Sequence, residues 1–455
     1  MQKVCIQGLG FVGAVMSTAV ALASDSNGPI YDVIGVDLPN KLGNKRVQSI
    51  NQSCFPFKTN DAFLESSFKK VCSQGNLRAT TDQSVFAEAR VIIVDINLDI
   101  SFLEDKPNLK LEHLIDAIKT IGRYIQPESL LLIETTVPPG TCEKVIAPTL
   151  FKELKKRQIS KESVYLAHSY ERVMPGKNYL KSIIDFPRVF SGLNSQSADA
   201  CEVFLKQILN VKRYPLTKLS STTASETAKV LENSYRATNI AFIDEWTKFS
   251  EEVGIDLFEI IHAIKQRPTH SNIMFPGLGV GGYCLTKDPT FTPAAAKELF
   301  GKDLYFPFSK LAVKTNNSMP MHTISRLSKL LGNNLRNKNV LICGVTYRAD
   351  IEDTRYSASE TLVKELLRLE TNITCHDPYI EYWEEMNIDV LKELPELKSY
   401  DAIVLAVAHE DYKHTDCWNE ANLILDANMV FNSQQIKSLT TAGLNIKSIG
   451  RGDNL

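Results

Sequence analysis

The sequence predicts an α/β protein made of two doubly wound units joined by a long central helix. Short β-branched runs alternate with helical stretches, which is the rhythm of a parallel sheet. That rhythm gives way to a single helix-patterned segment of more than 30 residues and then resumes. A chain of 455 residues is also too long for one ordinary core, and about 150 residues per domain gives roughly three domains.

In the first half, Lys3–Gln7, Asp32–Asp37, Val91–Asp95, Leu130–Glu134 and Ser163–Ala167 are expected as buried strands. The long helix is expected from about Ser220 to Val253, with Gly254 as its stop. Ala228, Leu231, Tyr235, Phe242, Trp246 and Phe249 recur along it at roughly helical spacing. A Gly/Pro-rich loop, Phe275–Pro289, follows. Strands are then expected at Asn339–Cys343, Asn372–His376, Ala402–Ala408 and Leu423–Asp426. These limits divide the chain into domains 1–212, 213–325 and 326–455.

Composition narrows the function classes. Apolar residues make up 44% and charged residues 23%, as in a globular protein of ordinary solubility. Lys+Arg 51 against Asp+Glu 53 gives a net charge of -2, which argues against a nucleic-acid surface. No apolar run approaches the ~18 residues of a membrane span. Phe11–Ala23 is broken by Gly13, Ser17 and Thr18, and only Lys3 precedes it with positive charge, so a signal peptide is not expected. Nine cysteines without a CxxC pair read as reduced thiols in the cytoplasm, and their spacing gives no metal site.

Gly8-Leu9-Gly10-Phe11-Val12-Gly13 follows the first strand and opens a helix. Gly8 permits the tight turn, Gly10 lets backbone approach a pyrophosphate, and Gly13 lets helix and strand pack closely. The helix N-terminus offers N–H groups and partial positive charge to phosphates. Asp37, closing the second strand, is placed to accept from a ribose diol, and an acid there favours NAD over NADP.

Phe275-Pro-Gly277-Leu-Gly-Val-Gly281-Gly-Tyr-Cys284-Leu-Thr-Lys287-Asp288 is the most informative stretch. Its glycines weaken both helix and strand, so they permit a close approach. Lys287 could help hold a Cys284 thiolate, although a lone cysteine is more often an inert buried side chain. Lys229, Asn233 and Arg236 fall at i, i+4 and i+7 on one helix face. A solvated polar stripe is the ordinary reading, and an oxyanion-stabilising pair is the other. Thr136 closes a strand in the cofactor half, a usual ligand position in open sheets. Glu171 follows the next strand and by itself is indistinguishable from a surface carboxylate.

Taken in order, these motifs resemble the UDP-glucose/GDP-mannose dehydrogenase family, the nucleotide-sugar 6-dehydrogenases. The resemblance runs over essentially the whole chain, through Gly8–Gly13, Asp37, Thr135-Thr136-Val-Pro-Pro-Gly140 and Glu171–Gly176. It continues through Lys229-x-x-x-Asn233, Gly281-Gly-x-Cys284-x-x-x-Asp288, Gly344-x-x-Tyr-Arg348, Asp353-x-Arg355-x-Ser357 and Asp377-Pro378. It implies two Rossmann-like units and Cys284 as a nucleophile in a four-electron oxidation by two NAD. Asp37, Arg46, Lys287 and Arg355 would join the glycine turn and Thr136 in holding NAD. Phe275, Gly277, Gly281, Arg172, Arg236, Arg267 and Arg348 would hold the nucleotide-sugar together with Glu171, Lys229 and Asn233. Lys229 and Asn233 would stabilise tetrahedral oxyanions, and Thr136, Glu171 and Asp288 would position the hydrolytic water. The family's long helix commonly forms a homodimer, with Arg267 reaching the partner's site.

Two departures stand out. The usual Pro-Thr-Pro after the third strand is Asn97-Leu98-Asp99 here, and Arg348 replaces a usual lysine. Substrate signals divide. Glu171-Arg-Val-Met-Pro-Gly, Pro276-Gly-Leu-Gly-Val-Gly-Gly and Asn317-Ser-Met-Pro320 resemble the UDP-N-acetylhexosamine branch, whereas Tyr283-Cys284-Leu285 and Lys287-Asp288 resemble bacterial UDP-glucose enzymes. The first is favoured by count, with UDP-GlcNAc or UDP-ManNAc as substrate. A two-electron NAD-dependent hydroxyacid dehydrogenase is the alternative from another class.

Overall fold

The computed structural model describes residues 1–103 and 106–452. The chain forms two compact units, Met1–Leu231 with Thr290–Tyr305, and Glu232–Pro289 with Phe306–Leu455.

The first unit is built on an eight-stranded sheet. Its strands are β1 (Gln2–Gln7), β2 (Tyr31–Val36), β3 (Leu77–Thr80), β4 (Val91–Val94), β5 (Leu130–Ile133), β6 (Tyr165–His168), β7 (Arg188–Gly192) and β8 (Leu216–Lys218). Across the sheet they run β8-β7-β6-β5-β4-β1-β2-β3. All pairings are parallel except β6 with β7. The chain moves outward from β1 to β2 and β3, then crosses to β4 on the other side of β1. The carboxyl ends of β1 and β4 therefore flank the topological switch point, the usual ligand crevice of such sheets.

Alternate residues feed separate cores on the two faces. Val4, Ile6, Ile93 and Leu132 pack into one, and Cys5, Ile92, Val94, Leu131 and Ile133 into the other. Burial on both faces explains why these strands read as continuous apolar runs.

Several expected limits shift. Strands β2, β4 and β5 stop at Val36, Val94 and Ile133, so Asp37, Asp95 and Glu134 lie just beyond the ladder. Their backbone N–H groups still donate to neighbouring strands, Asp37 to the Thr80 carbonyl at 3.2 Å, while the Asp37 carboxylate accepts the backbone N–H of Leu38 at 2.7 Å. The strand expected from Ser163 starts at Tyr165, because Ser160 caps a one-turn helix over Lys161–Ser163. Strands β3, β7 and β8 are short, carry charged residues and were not expected from the pattern.

The long helix spans Thr222–Val253, starting two residues later than expected. Gly254, at φ +77°, ends it, with the Ile255 N–H closing back on the Ser250 carbonyl at 3.0 Å. The apolar spacing that marks this helix does not mark its buried side. Leu231, Tyr235, Phe242, Trp246 and Phe249 are all exposed on the chain. The buried side uses small residues, Ala237 and Ala241 packing with Ala312, which allow close helix approach.

The second unit holds a five-stranded parallel sheet. Strands β9 (Asn339–Cys343), β10 (Asn372–His376), β11 (Ala402–Leu405), β12 (Ile424–Asp426) and β13 (Ile446–Ser448) are ordered β10-β9-β11-β12-β13. The first two match expectation, β11 ends at Leu405 rather than Ala408, β12 begins at Ile424, and β13 is an addition. Val340, Ile342, Val404 and Leu425 pack on one face, and Leu341, Cys343, Ile403 and Leu405 on the other.

In the first unit a buried carboxylate holds the loop after β5. Glu226 accepts the backbone N–H groups of Gly140 at 2.6 Å and Cys142 at 2.7 Å. Burial pushes its carboxyl from 4.5 up to about 7. The folded state therefore binds this proton more tightly than the unfolded chain does. Stability falls as pH rises from 4.5 to about 7, and the full cost is present above that. It amounts to about 3 kcal/mol. Glu226→Gln, which cannot ionise but loses an acceptor, is expected to be less stable at pH 5 and to lack this decline. Urea unfolding at pH 5, 6, 7 and 8 checks it, and parallel profiles for both proteins would contradict it.

Candidate active site

The glycine turn lies at the carboxyl end of β1. Gly8 has φ +95°, and a Cβ there would stand 2.4 Å from the Asp95 carbonyl oxygen. At Gly13 a Cβ would fall 1.8 Å from the Gly8 carbonyl oxygen, so nothing larger than glycine lets this helix leave the strand. Gly10 differs, since a Cβ there would meet nothing within 4 Å. Two glycines thus serve packing, and the third leaves open backbone of the kind a pyrophosphate needs. The turn is fixed further by Phe11, whose ring stacks on Phe57 at 4.1 Å and whose carbonyl accepts from the Tyr179 hydroxyl. Val12 is half-buried.

Asp37 also accepts the Leu9 N–H at 3.3 Å, which ties it to the glycine turn. Arg46 reaches its carboxylate at 3.3 Å and lies 5.7 Å from the Phe57 ring centre. The resemblance's pair of Asp37 and Arg46 is therefore assembled beside a phenylalanine face. These residues fit the adenosine end of NAD.

Thr136, Glu171 and Lys229 also belong to the first unit. Thr136 is half-buried beyond β5, next to Thr135, whose hydroxyl donates to the carbonyls of Val94 and Ile96 at 3.1 and 2.9 Å. Buried Lys229 donates from Nζ to the Glu171 carbonyl at 2.9 Å and lies 3.8 Å from its carboxylate. Its ammonium stands 5.3 Å from the Tyr170 ring centre, which Arg172 approaches at 5.8 Å. His168 is fully buried, and burial with the Lys229 charge lowers it from 6.5 to about 3. It stays neutral and adds no competing cation.

In the second unit, Cys284 is exposed on a turn whose carbonyl accepts the N–H groups of Lys287 at 3.2 Å and Asp288 at 2.9 Å. Asp288 is fully buried, accepting from Asn233 Nδ2 at 2.7 Å and Lys287 Nζ at 2.9 Å. The Lys287 ammonium also lies 4.3 Å from the Tyr283 ring centre. The structure thus joins Asn233, Lys287 and Asp288 next to the thiol turn.

The glycine-rich loop holds a finding the sequence did not reveal. Cβ atoms at Gly281 and Gly282 would lie 2.8 and 2.7 Å from Tyr347, and one at Gly279 would lie 2.9 Å from Ala358. Their close approach is to the protein itself. Gly277 leaves 3.2 Å to the Asn428 amide oxygen. Phe275 stacks on Phe258 at 5.8 Å with Lys265 at 4.9 Å. Arg355 forks onto Asp353 at 2.9 and 2.7 Å, while Arg236, Arg267 and Arg348 are exposed and lie outside the Asp288 cluster. In the departed segment Asn97 is exposed and Leu98 buried, and the Asp99 side chain lies outside the described residues.

Sequence reasoning missed the buried pair of Glu134 and Arg188, and Asp95 beside it. Their one signal was an acid directly after a buried apolar strand. Among the described residues no group of three or more His, Cys, Asp or Glu could hold a metal.

Gly13→Val is expected to abolish NAD binding by forcing the first helix off β1, with the second unit still folded. Titration calorimetry and circular dichroism check this, and wild-type NAD affinity in the variant would contradict the assigned site.

Comparison with known proteins gives the same picture. Three family models match: the NAD binding domain of the UDP-glucose/GDP-mannose dehydrogenase family over 2–209, its central domain over 223–318 and its UDP binding domain over 341–437. UDP-N-acetyl-D-mannosamine dehydrogenase of Methanocaldococcus jannaschii is 29% identical, covering 100% of this chain and 97% of its own. Among solved structures, UDP-D-ManNAc dehydrogenase from Pyrococcus horikoshii superposes with TM-score 0.82 at 24% identity, over 99% of this chain and 100% of that one. NDP-N-acetyl-D-galactosaminuronic acid dehydrogenase from Methanosarcina mazei Go1 gives TM-score 0.79 at 26% identity, over 100% and 96%. With a glycine turn shaped for NAD, a thiol turn braced by Asp288 and all three family domains present in order, the chain belongs to the UDP-glucose/GDP-mannose dehydrogenase family and is an NAD-dependent nucleotide-sugar dehydrogenase.

Proposed function

We propose that the protein oxidises the C6 hydroxyl of a UDP-N-acetylhexosamine to the uronate through a thioester on Cys284. UDP-N-acetylmannosamine is the first candidate, because the M. jannaschii relative carries that name, and UDP-N-acetylglucosamine is the second. UDP-glucose is the alternative that Tyr283-Cys284-Leu285 keeps in play. The observation that carries the reading is the buried Asp288, which fixes Asn233 and Lys287 around the turn bearing an exposed Cys284.

Bound NAD supplies the hydride acceptor for each of two oxidations. The first converts the C6 alcohol to an aldehyde. The Cys284 thiolate then adds to that carbonyl carbon, forming a C–S bond and a thiohemiacetal oxyanion. Loss of a second hydride leaves a thioester, and water cleaves the C–S bond, returning the thiol and releasing the acid. Following the family resemblance, Lys229 and Asn233 are assigned to the oxyanion, since a cation and an amide donor match a developing negative oxygen. Thr136, Glu171 and Asp288 are assigned to the water. Glycines 8, 10 and 13 with Phe11, Val12, Asp37, Arg46, Lys287 and Arg355 are assigned to NAD. Arg172, Arg236, Arg267, Phe275, Gly277, Gly281 and Arg348 are assigned to the nucleotide-sugar.

The division into 1–212, 213–325 and 326–455 follows the same assignment. The residues matched by the family models support it. The cytoplasm is the proposed compartment, on the strength of unpatterned cysteines. Among the described residues no helix is long and apolar enough to cross a membrane.

A homodimer is also proposed. Leu231, Tyr235, Phe242, Trp246, Phe249 and Val253 form an exposed apolar stripe along a 32-residue helix. Phe242→Glu with Trp246→Glu is expected to give a monomer by light scattering, and an unchanged dimer would remove the helix from that interface.

For the chemistry, Cys284→Ser is expected to slow acid formation roughly a thousandfold or more, because a hydroxyl is far less acidic than a thiol. Mass spectrometry of wild type with a slow substrate should find sugar attached at Cys284. Uronate release by the serine variant at the wild-type rate would contradict the covalent route.

A further inference from the structure

Asp95 is a carboxyl that the chemistry above does not use. It follows β4 at the switch point, with its N–H on the Gln7 carbonyl at 2.8 Å. Its carbonyl and Cβ press on the positions where Gly8 and Gly13 would carry side chains, at 2.4 and 3.3 Å. The carboxyl thus sits directly behind the turn assigned to NAD. It is 8% exposed, and Glu134 follows the residue registered beside Val94 on the next strand. Among the described residues neither Asp95 oxygen, nor Oε2 of Glu134, nor Nη2 of Arg188 has a hydrogen-bond partner. Two carboxylates so placed cannot both hold a charge at modest cost.

The groups around the pair come from every adjoining strand end. Glu134 follows β5 and is paired to Arg188, which opens β7, and Glu171 follows β6 with Lys229 at 3.8 Å. The glycine turn contributes no titratable side chain. Burial first, then Glu134 and Glu171, push the Asp95 carboxyl well above its ordinary range, and Arg188 offsets this only in part. Glu134 is raised by burial and held down by Arg188. Arg188 therefore stabilises the anion on Glu134, and Asp95 is left as the acid.

We propose that Asp95 is a cofactor-site residue held as a neutral acid beside Glu134 at the floor of the dinucleotide crevice, and that loss of its proton weakens NAD binding. The cause is electrostatic. Deprotonation places a second negative charge, with one guanidinium between two carboxylates, behind the backbone that meets an anionic pyrophosphate. By linkage, NAD bound above the pair's titration takes one proton from solvent, and below it none. The inference rests on the assignment of the Gly8–Gly13 turn to NAD.

The test is NAD affinity of the full chain from pH 6 to 10, with proton uptake measured by calorimetry in buffers of different ionisation enthalpy. Wild type is expected to bind NAD progressively less tightly as pH rises, with uptake rising toward one proton per NAD. Asp95→Asn, neutral and of the same shape, is expected to bind with a flat profile and to take up no proton. A wild type without pH-dependent proton uptake overturns the proposal whether or not the variant folds, as does a variant with the wild-type slope. Failure of the underlying site assignment reads differently, as undiminished NAD affinity in Gly13→Val.

Discussion

Burying the Asp288 carboxylate is the constraint around which the second unit's chemistry is arranged. A buried carboxylate without donors costs several kcal/mol, so its neighbours are not free to vary. The donors come from two elements, Asn233 on the long helix and Lys287 on the thiol turn. Its own N–H closes on the Cys284 carbonyl, so the group that fixes the polar side chains also fixes the turn presenting the nucleophile. Tyr283 adds an aromatic face to the same ammonium, which leaves Lys287 little rotational freedom. Preorganisation of this kind matters where negative charge develops on oxygen during reaction.

The first unit meets a related problem differently. Asp37, Asp95, Glu134 and Glu171 all lie just beyond the carboxyl ends of parallel strands, where a dinucleotide crosses an open sheet. Each has its own electrostatic solution. Asp37 has Arg46 and two backbone N–H groups, Glu134 has Arg188, and Glu171 has Lys229. Asp95 forms no ion pair among the described residues and feels only the Arg188 that Glu134 holds. The edge facing an anionic cofactor can carry four acids because three are paired or hydrogen-bonded and the fourth is disfavoured as an anion.

How legible was this in the residues? The fold class and the principal strands were, because burial on both faces writes long apolar runs such as Val91–Val94 and Leu130–Ile133. Short strands such as β8 and β13 were not, since three residues carry no period. The dinucleotide turn was legible in the tight packing at Gly8 and Gly13, with Gly10 on open backbone. The second glycine cluster was read as a close approach without its partner, and Gly279, Gly281 and Gly282 abut Ala358 and Tyr347, more than sixty residues away in the chain. The apolar stripe of the long helix gave the helix but not which side is buried, because an exposed stripe and a core stripe share one period. Asp288's role rests on contacts with Asn233, 55 residues earlier, and only the family resemblance singled it out.

The most direct measurement is the number of NADH formed per sugar consumed when the wild-type protein is given UDP-N-acetylmannosamine, with UDP-N-acetylglucosamine, UDP-glucose and GDP-mannose in parallel. A covalent four-electron oxidation of an N-acetylhexosamine predicts two NADH and one uronate per sugar, with no free aldehyde in solution. One NADH per sugar, or turnover confined to UDP-glucose or GDP-mannose, would contradict it.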